Sequence, residues 1–209
     1  LSIYKEIFLE ERKIQEYFLI GFELGKRNYW TIFFNFLIFA VVGVCAVITV
    51  VGILILPAIF VGFITFLLKA ARGEKVNVGD SLSAGFKNGM WWKALLFSII
   101  YFGGIVLGLM LLIAPGLYLI TAWVLGIYLL VDKEMLPTEA LGKSREFVHQ
   151  LGFWKIFAVI IVLIMIRELT AIFPILSLFN VFLMPFIAMT YIAVYENAIG
   201  NSSTIANED

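Results

Sequence analysis

Three long apolar blocks alternate with shorter polar segments along the chain, and that alternation predicts its elements. The blocks run from Trp30 to Leu68, from Ala94 to Val131 and from Ile156 to Val194. At about 1.5 Å rise per residue, such a block spans roughly 58 Å, enough for two crossings of a ~30 Å hydrocarbon core and too little for three. Each block therefore reads as a helical hairpin, at 30–68, 94–131 and 156–194. The first reversal is expected around Thr49–Gly52 and the second at Ala114-Pro115-Gly116. The third block is interrupted by Arg167-Glu168 and by Pro174. Pro57 falls early in its return helix, where a kink costs little. The fold class is all-α: a polytopic membrane helical bundle of six transmembrane helices over residues 30–195, arranged as three hairpins with short cytoplasmic amphipathic helices.

The polar segments carry their own periodicity. In residues 1–29, Ile3, Ile7, Ile14, Phe18 and Phe22 form a stripe opposite Glu6, Glu10, Glu11, Arg12, Lys13 and Glu16, which predicts an amphipathic helix on the inner surface. Asp80 or Ser81 is expected to cap a short helix that carries Leu82 and Phe86 and ends near Gly89. Thr138 is expected to cap a third such helix, with Ala140, Leu141, Ser144, Phe147, Val148 and Leu151 on one face and Gly152 at its end. The tail 196–209 is polar, rich in small residues and expected to fray. The chain opens on Leu1, which reads as a processed, trimmed or incomplete N-terminus, and no signal-peptide pattern occupies its first thirty residues.

Charge fixes an orientation. Of the 15 basic residues, only Arg167 falls on the far side of these hairpins. By the positive-inside rule both termini are expected in the cytoplasm, and the membrane to be a prokaryotic inner membrane. Composition agrees: 62% of residues are hydrophobic, 14% are charged, and mean hydropathy is +1.02, outside soluble usage. A net charge of +0 gives no field for nucleic acid. The lone cysteine, Cys45, excludes an internal disulfide and is expected to be buried.

Trp30, Trp92 and Trp154 are each 62 residues apart. Each follows a polar or glycine-containing segment, sits in an aromatic pair and opens an apolar block. Each return helix carries an early proline: Pro57, Pro115 and, less neatly, Pro174. This predicts an internal threefold repeat of amphipathic helix plus hairpin, its indoles at the headgroup level.

Two stretches carry a resemblance. One is the run from Gly108 to Pro115-Gly116, and the other is Pro137-Thr138-Glu139-Ala140-Leu141-Gly142-Lys143-Ser144. Together they resemble a family of prokaryotic six-helix integral membrane proteins of uncharacterised function. That family is related to the membrane domain fused to some glycerophosphodiester phosphodiesterases. Lys69 to Phe86 is similar to the loop that precedes these motifs in the family. The resemblance covers about residues 30–195 and implies a six-helix fold. It implies no activity, since no phosphodiesterase catalytic domain is present.

Candidate chemistry is sparse. The sole histidine, His149, has no second His or Cys beside it to make a metal set, no glycine-rich phosphate loop occurs, and no serine has a triad partner. Neither a cofactor nor enzymatic activity is expected. Arg167-Glu168 is the one charged pair within a span, and Arg167 is read as structural, snorkelling to the far interface. Asn35, Asn180, Thr49, Thr65 and Thr190 are read as interhelical hydrogen-bonding positions, and Gly103, Gly104 and Gly108 as packing positions. Structural or interface roles fall to Trp30, Trp92, Trp154, Pro57, Pro115, Gly116, Phe147, Arg167 and Glu168. The expected function is a non-catalytic scaffold, assembly factor or accessory subunit of a membrane complex. The alternative is a transporter or lipid-handling channel built from the three hairpins. Expected partners are membrane lipids and other proteins, or a second copy met through the transmembrane faces.

Overall fold

A computed structural model describes residues 13–27, 29–47, 49–74, 77–171 and 174–205. The expectations for Ile3, Ile7 and the charged residues before Lys13 lie outside this set. Among the described residues the chain is helical, without strands. In order come α1 (Ile14–Arg27), α2 (Tyr29–Val47), α3 (Val50–Ala71), α4 (Val78–Ala84), α5 (Met90–Leu111), α6 (Ile113–Ala122), α7 (Gly126–Asp132), α8 (Pro137–Leu151), α9 (Phe153–Ala171) and α10 (Pro174–Ile205). Among the described residues, five helical stretches are long and apolar enough to cross a membrane: 29–47, 52–71, 87–111, 113–132 and 180–200. A sixth arises if α8 and α9, bent by 100° at their junction, count as one span. The chain divides into two compact units, one of residues 30–145 and one of 1–29 with 146–209.

In the 30–145 unit, α2 and α3 reverse at Thr49, whose hydroxyl accepts from Gly52 N–H at 3.0 Å and caps α3. Pro57 lies inside α3. Phe39 and Phe36 pack on Phe63, so the two helices run antiparallel through aromatic contacts. The α5–α6 reversal is a single extended residue, Leu112. Beyond it Gly108 meets Gly116 backbone to backbone, and Gly104 lies under the Trp123 indole. Gly103 does not pack: a β-carbon there would meet nothing within 4 Å.

The polar segment 69–93 does not stay at one end of α3. Gly85 abuts the Ala58 backbone, and Gly62 abuts the carbonyl of Ser81, so α4 runs back along α3. Trp91 Nε1 then donates to Leu54 O at 2.9 Å. Leu54 lies about 26 Å from the C-terminal end of α3 at helical rise. Yet Arg72, just past that end, pairs with Asp132, and Lys93 Nζ donates to Glu134 O at 2.7 Å. The α3 helix therefore crosses the foot of the α5–α7 pair obliquely instead of standing beside it. Two glycines explain the difference: without β-carbons at 62 and 85, α4 settles directly on the α3 backbone.

Local caps also differ from expectation. Asn77, not Asp80 or Ser81, caps α4, its side chain accepting from Gly79 N–H. Asn88 and Gly89 then turn the chain in left-handed conformations. Pro137, not Thr138, opens α8, where its missing N–H is no loss, and Glu139 accepts from Leu136 N–H at 3.3 Å.

In the other unit, α1 lies antiparallel along α10. Tyr17 OH donates to Asn197 Oδ1 at 2.9 Å with both residues fully buried, and Tyr29 OH donates to Phe182 O at 3.1 Å. Between these two bonds, Gly21 touches the Thr190 backbone and Gly25 touches the Phe186 ring. The buried face of α1 is Tyr17, Gly21, Leu24 and Gly25. It is not the Ile14–Phe18–Phe22 stripe, for Phe22 is exposed and stacks on Phe186 at the edge of the contact. The tail is also more ordered than expected: α10 continues to Ile205, with Asn197 and Ala198 buried.

Candidate functional site: a serine seated in a break of the fourth apolar helix

Between α6 and α7 the helical ladder is interrupted at Trp123–Leu125. Val124 N–H reaches Thr121 O at 3.4 Å, and Gly126 N–H reaches Trp123 O at 3.0 Å, both tighter than α-helical pairing. Among the backbone groups that lose their helical partners here are Leu125 N–H and Ala122 C=O. Ser144 supplies both. Its hydroxyl accepts from Leu125 N–H at 3.1 Å and donates to Ala122 O at 2.8 Å, in full burial. A hydroxyl is suited to this because it is donor and acceptor at once. A side chain inserted into the ladder is also one of the recognised causes of a helix break.

Neighbouring side chains hold the serine in register. One turn earlier on α8, Leu141 lies over Gly126, which also receives the edge of Phe97, so a side chain at 126 would displace both. The Arg145 guanidinium stands 5.9 Å from the centre of the Tyr118 ring. At the end of α7, Asp132 is nearly buried between Arg72 and Lys133. The opposite face of α8, with Glu139, Gly142, Arg145, Glu146, His149 and Gln150, is exposed.

The residues singled out from the sequence take simpler places. Trp30, Trp92 and Trp154 are all outward-facing, with relative exposures of 62%, 60% and 76%. Trp91, not Trp92, makes the hydrogen bond to Leu54 O. Pro115 and Gly116 form the first turn of α6, and Gly116 is the floor for Gly108 and Leu109. Phe147 is buried. Arg167 and Glu168 are brought together as an exposed ion pair at 3.1 Å. His149 is exposed and stacks on Phe153. Cys45 is exposed, not buried. Asn35, Thr65 and Thr190 donate to carbonyls four residues back in their own helices, so these bonds are not interhelical. Among the described residues, no three His, Cys, Asp or Glu side chains group as metal ligands.

Sequence reading placed Ser144 on the buried face of α8 but missed its role. A small polar residue fully inside an otherwise apolar helix face was the available signal, because such a hydroxyl must find a partner. No family model, no curated protein and no solved structure matches the chain. The class it defines is thus the coarse one: among the described residues, an all-helical protein with five or six helices long and apolar enough to span a membrane.

Proposed function

We propose that the chain is a non-catalytic integral membrane protein, a scaffold or accessory subunit that offers the outer face of α8 to a partner protein. The observation that carries this reading is the fixation of α8. Ser144 and Leu141 anchor one side of it to α6–α7, while the mixed-charge side from Glu139 to Gln150 is exposed. A helix held this rigidly loses little freedom when a partner engages it, which favours binding. A photo-crosslinking residue at Gln150 or Glu139 should capture one discrete protein in native membranes, while the same residue at lipid-facing Phe102 should not. Equal capture at all three positions would reject the reading.

The distribution of basic residues supports a companion proposal: six crossings of a prokaryotic inner membrane with both termini cytoplasmic. Reporter fusions after Asp209 and within 133–150 should both read cytoplasmic, and a periplasmic signal at either would overturn it. The resemblance to the six-helix family is part of the same proposal. So is the internal repeat. Three apolar helices each receive a more polar one, α4 on α3, α8 on α6–α7 and α1 on α10, and the contact points, Gly62, the break around Val124, and Phe186, are again 62 residues apart.

A transporter or lipid-handling channel is the second reading. The break at Trp123–Leu125 favours it, since interrupted spans often mark transport sites. Against it, Ser144 already occupies two of the buried backbone groups at the break, Leu125 N–H and Ala122 C=O.

A further inference from the structure

The break in the fourth apolar helix has two ways of satisfying its backbone, and only one of them uses Ser144. In the observed arrangement Leu125 N–H and Ala122 C=O both bond the serine hydroxyl, and Gly126 N–H is taken by Trp123 O. Without Ser144, the ordinary α-helical acceptor of Leu125 N–H is Thr121 O, and that of Gly126 N–H is Ala122 O. Closing those two bonds, with Val124 N–H returning from Thr121 O to its α-helical acceptor Ile120 O, makes 113–132 one continuous helix. The sequence permits it: Leu117 to Asp132 contains no proline, and Gly126 is its one glycine.

We propose that Ala122–Gly126 is a two-state element and that Ser144 is the latch holding it broken, so that docking of α8 and interruption of the helix are a single event. Each state gives Leu125 N–H and Ala122 C=O a partner, which is what allows a packed segment to have two discrete forms. The change is transmitted because tightened turns advance about 120° per residue and α-helix about 100°. Over the three residues of the break, closure turns α7 by roughly 60° relative to α6. That rotation carries Asp132 away from Arg72 and the following Glu134 carbonyl away from Lys93. The outer face of α8 thereby gains a route to the ion pair at the foot of α3. The device stands whether the protein is a scaffold or a transporter.

The test uses the full chain in lipid nanodiscs with exposed Cys45 replaced by serine. Spin labels at Leu117→Cys and Lys133→Cys report the two halves of the helix. Leu141→Cys, in a separate sample, reports the seat of α8. Ser144→Ala is expected to shift the label distance by more than about 3 Å, by the rotation above. It is also expected to raise the maleimide reactivity of the thiol at 141, now buried, by about tenfold or more. Gly126→Ala leaves the serine in place but favours helix, and its methyl crowds Leu141 Cδ2 at 3.1 Å. It should give a smaller shift in the same direction, and it decides the question alone if Ser144→Ala does not fold. An unchanged label distance overturns the proposal, whether or not the thiol at 141 becomes reactive. A thiol that stays shielded while the distance changes overturns the coupling.

Discussion

Phe147→Asp is expected to remove the folded protein from mild detergent, or to lower its thermal midpoint by about 6–20 °C. The ring is 4% exposed and lies on the face of α8 that also buries Ala140, Leu141, Ser144, Val148 and Leu151. Truncating a buried phenylalanine costs about 3–5 kcal/mol before any charge is added. A carboxylate in the same place brings a desolvation cost, which the group relieves only by taking up a proton. Two controls separate loss of packing from loss of helix. Phe147→Leu keeps most of the apolar volume and should cost under about 1.5 kcal/mol. Gly142→Asp sits on the opposite face with open space around it, and should shift stability by no more than about 0.5 kcal/mol. A thermal midpoint unchanged by Phe147→Asp would mean that this face of α8 is not a packing surface.

How legible such a chain is depends on what surrounds each element. The face of α8 could be read from its 3.6-residue spacing because one side of that helix is polar, and all six expected positions are buried. The end at Gly152, with φ +95, could be read from the glycine itself, and the reversal at Thr49 from the length of its apolar block with Gly52 and Pro57 near the middle. The face of α1 could not be read this way. Burial there selects Gly21 and Gly25, because close contact between helices needs small residues, and Phe22 is left outside. The same inversion runs through the apolar helices. Met110, Leu111 and Ile113 are more than 70% exposed, while Thr121, Thr190 and Asn197 are buried. Where the surroundings are themselves apolar, hydrophobicity ceases to mark the inside, and shape and hydrogen bonding take over. The path of 69–93 was hidden for a related reason. Positive charge orders polar segments by side of the membrane, but says nothing of how far α4 retraces α3 once Gly62 and Gly85 admit it.

Gly21→Leu is expected to strip α1 from α10. A β-carbon at residue 21 would lie 2.7 Å from Thr190 Cα and 2.8 Å from its amide nitrogen, and neither backbone atom can retreat without moving the helix. Gly25 is different. Its nearest neighbour is the Phe186 ring, at 2.7 Å, and a ring can turn aside. The two glycines, four residues apart in the small-xxx-small pattern, should therefore respond to different degrees. Alanine favours helix over glycine by about 1 kcal/mol. At residue 25 that gain should offset the ring displacement, leaving Gly25→Ala near neutral. At residue 21 the backbone clash should win even for alanine, and more so for leucine. Displacing α1 also separates Tyr17 OH from Asn197 Oδ1, 2.9 Å apart in full burial. A buried polar group left without its partner costs about 1–3 kcal/mol. Limited trypsin digestion gives the measurement, because Lys26 and Arg27 are exposed at the end of α1 and cleavage there requires local unwinding of the helix. Cleavage there should accelerate about tenfold or more in Gly21→Leu, less in Gly21→Ala, and not at all in Gly25→Ala. Equal rates across the three variants would show that α1 is held by something other than the glycine contact with Thr190.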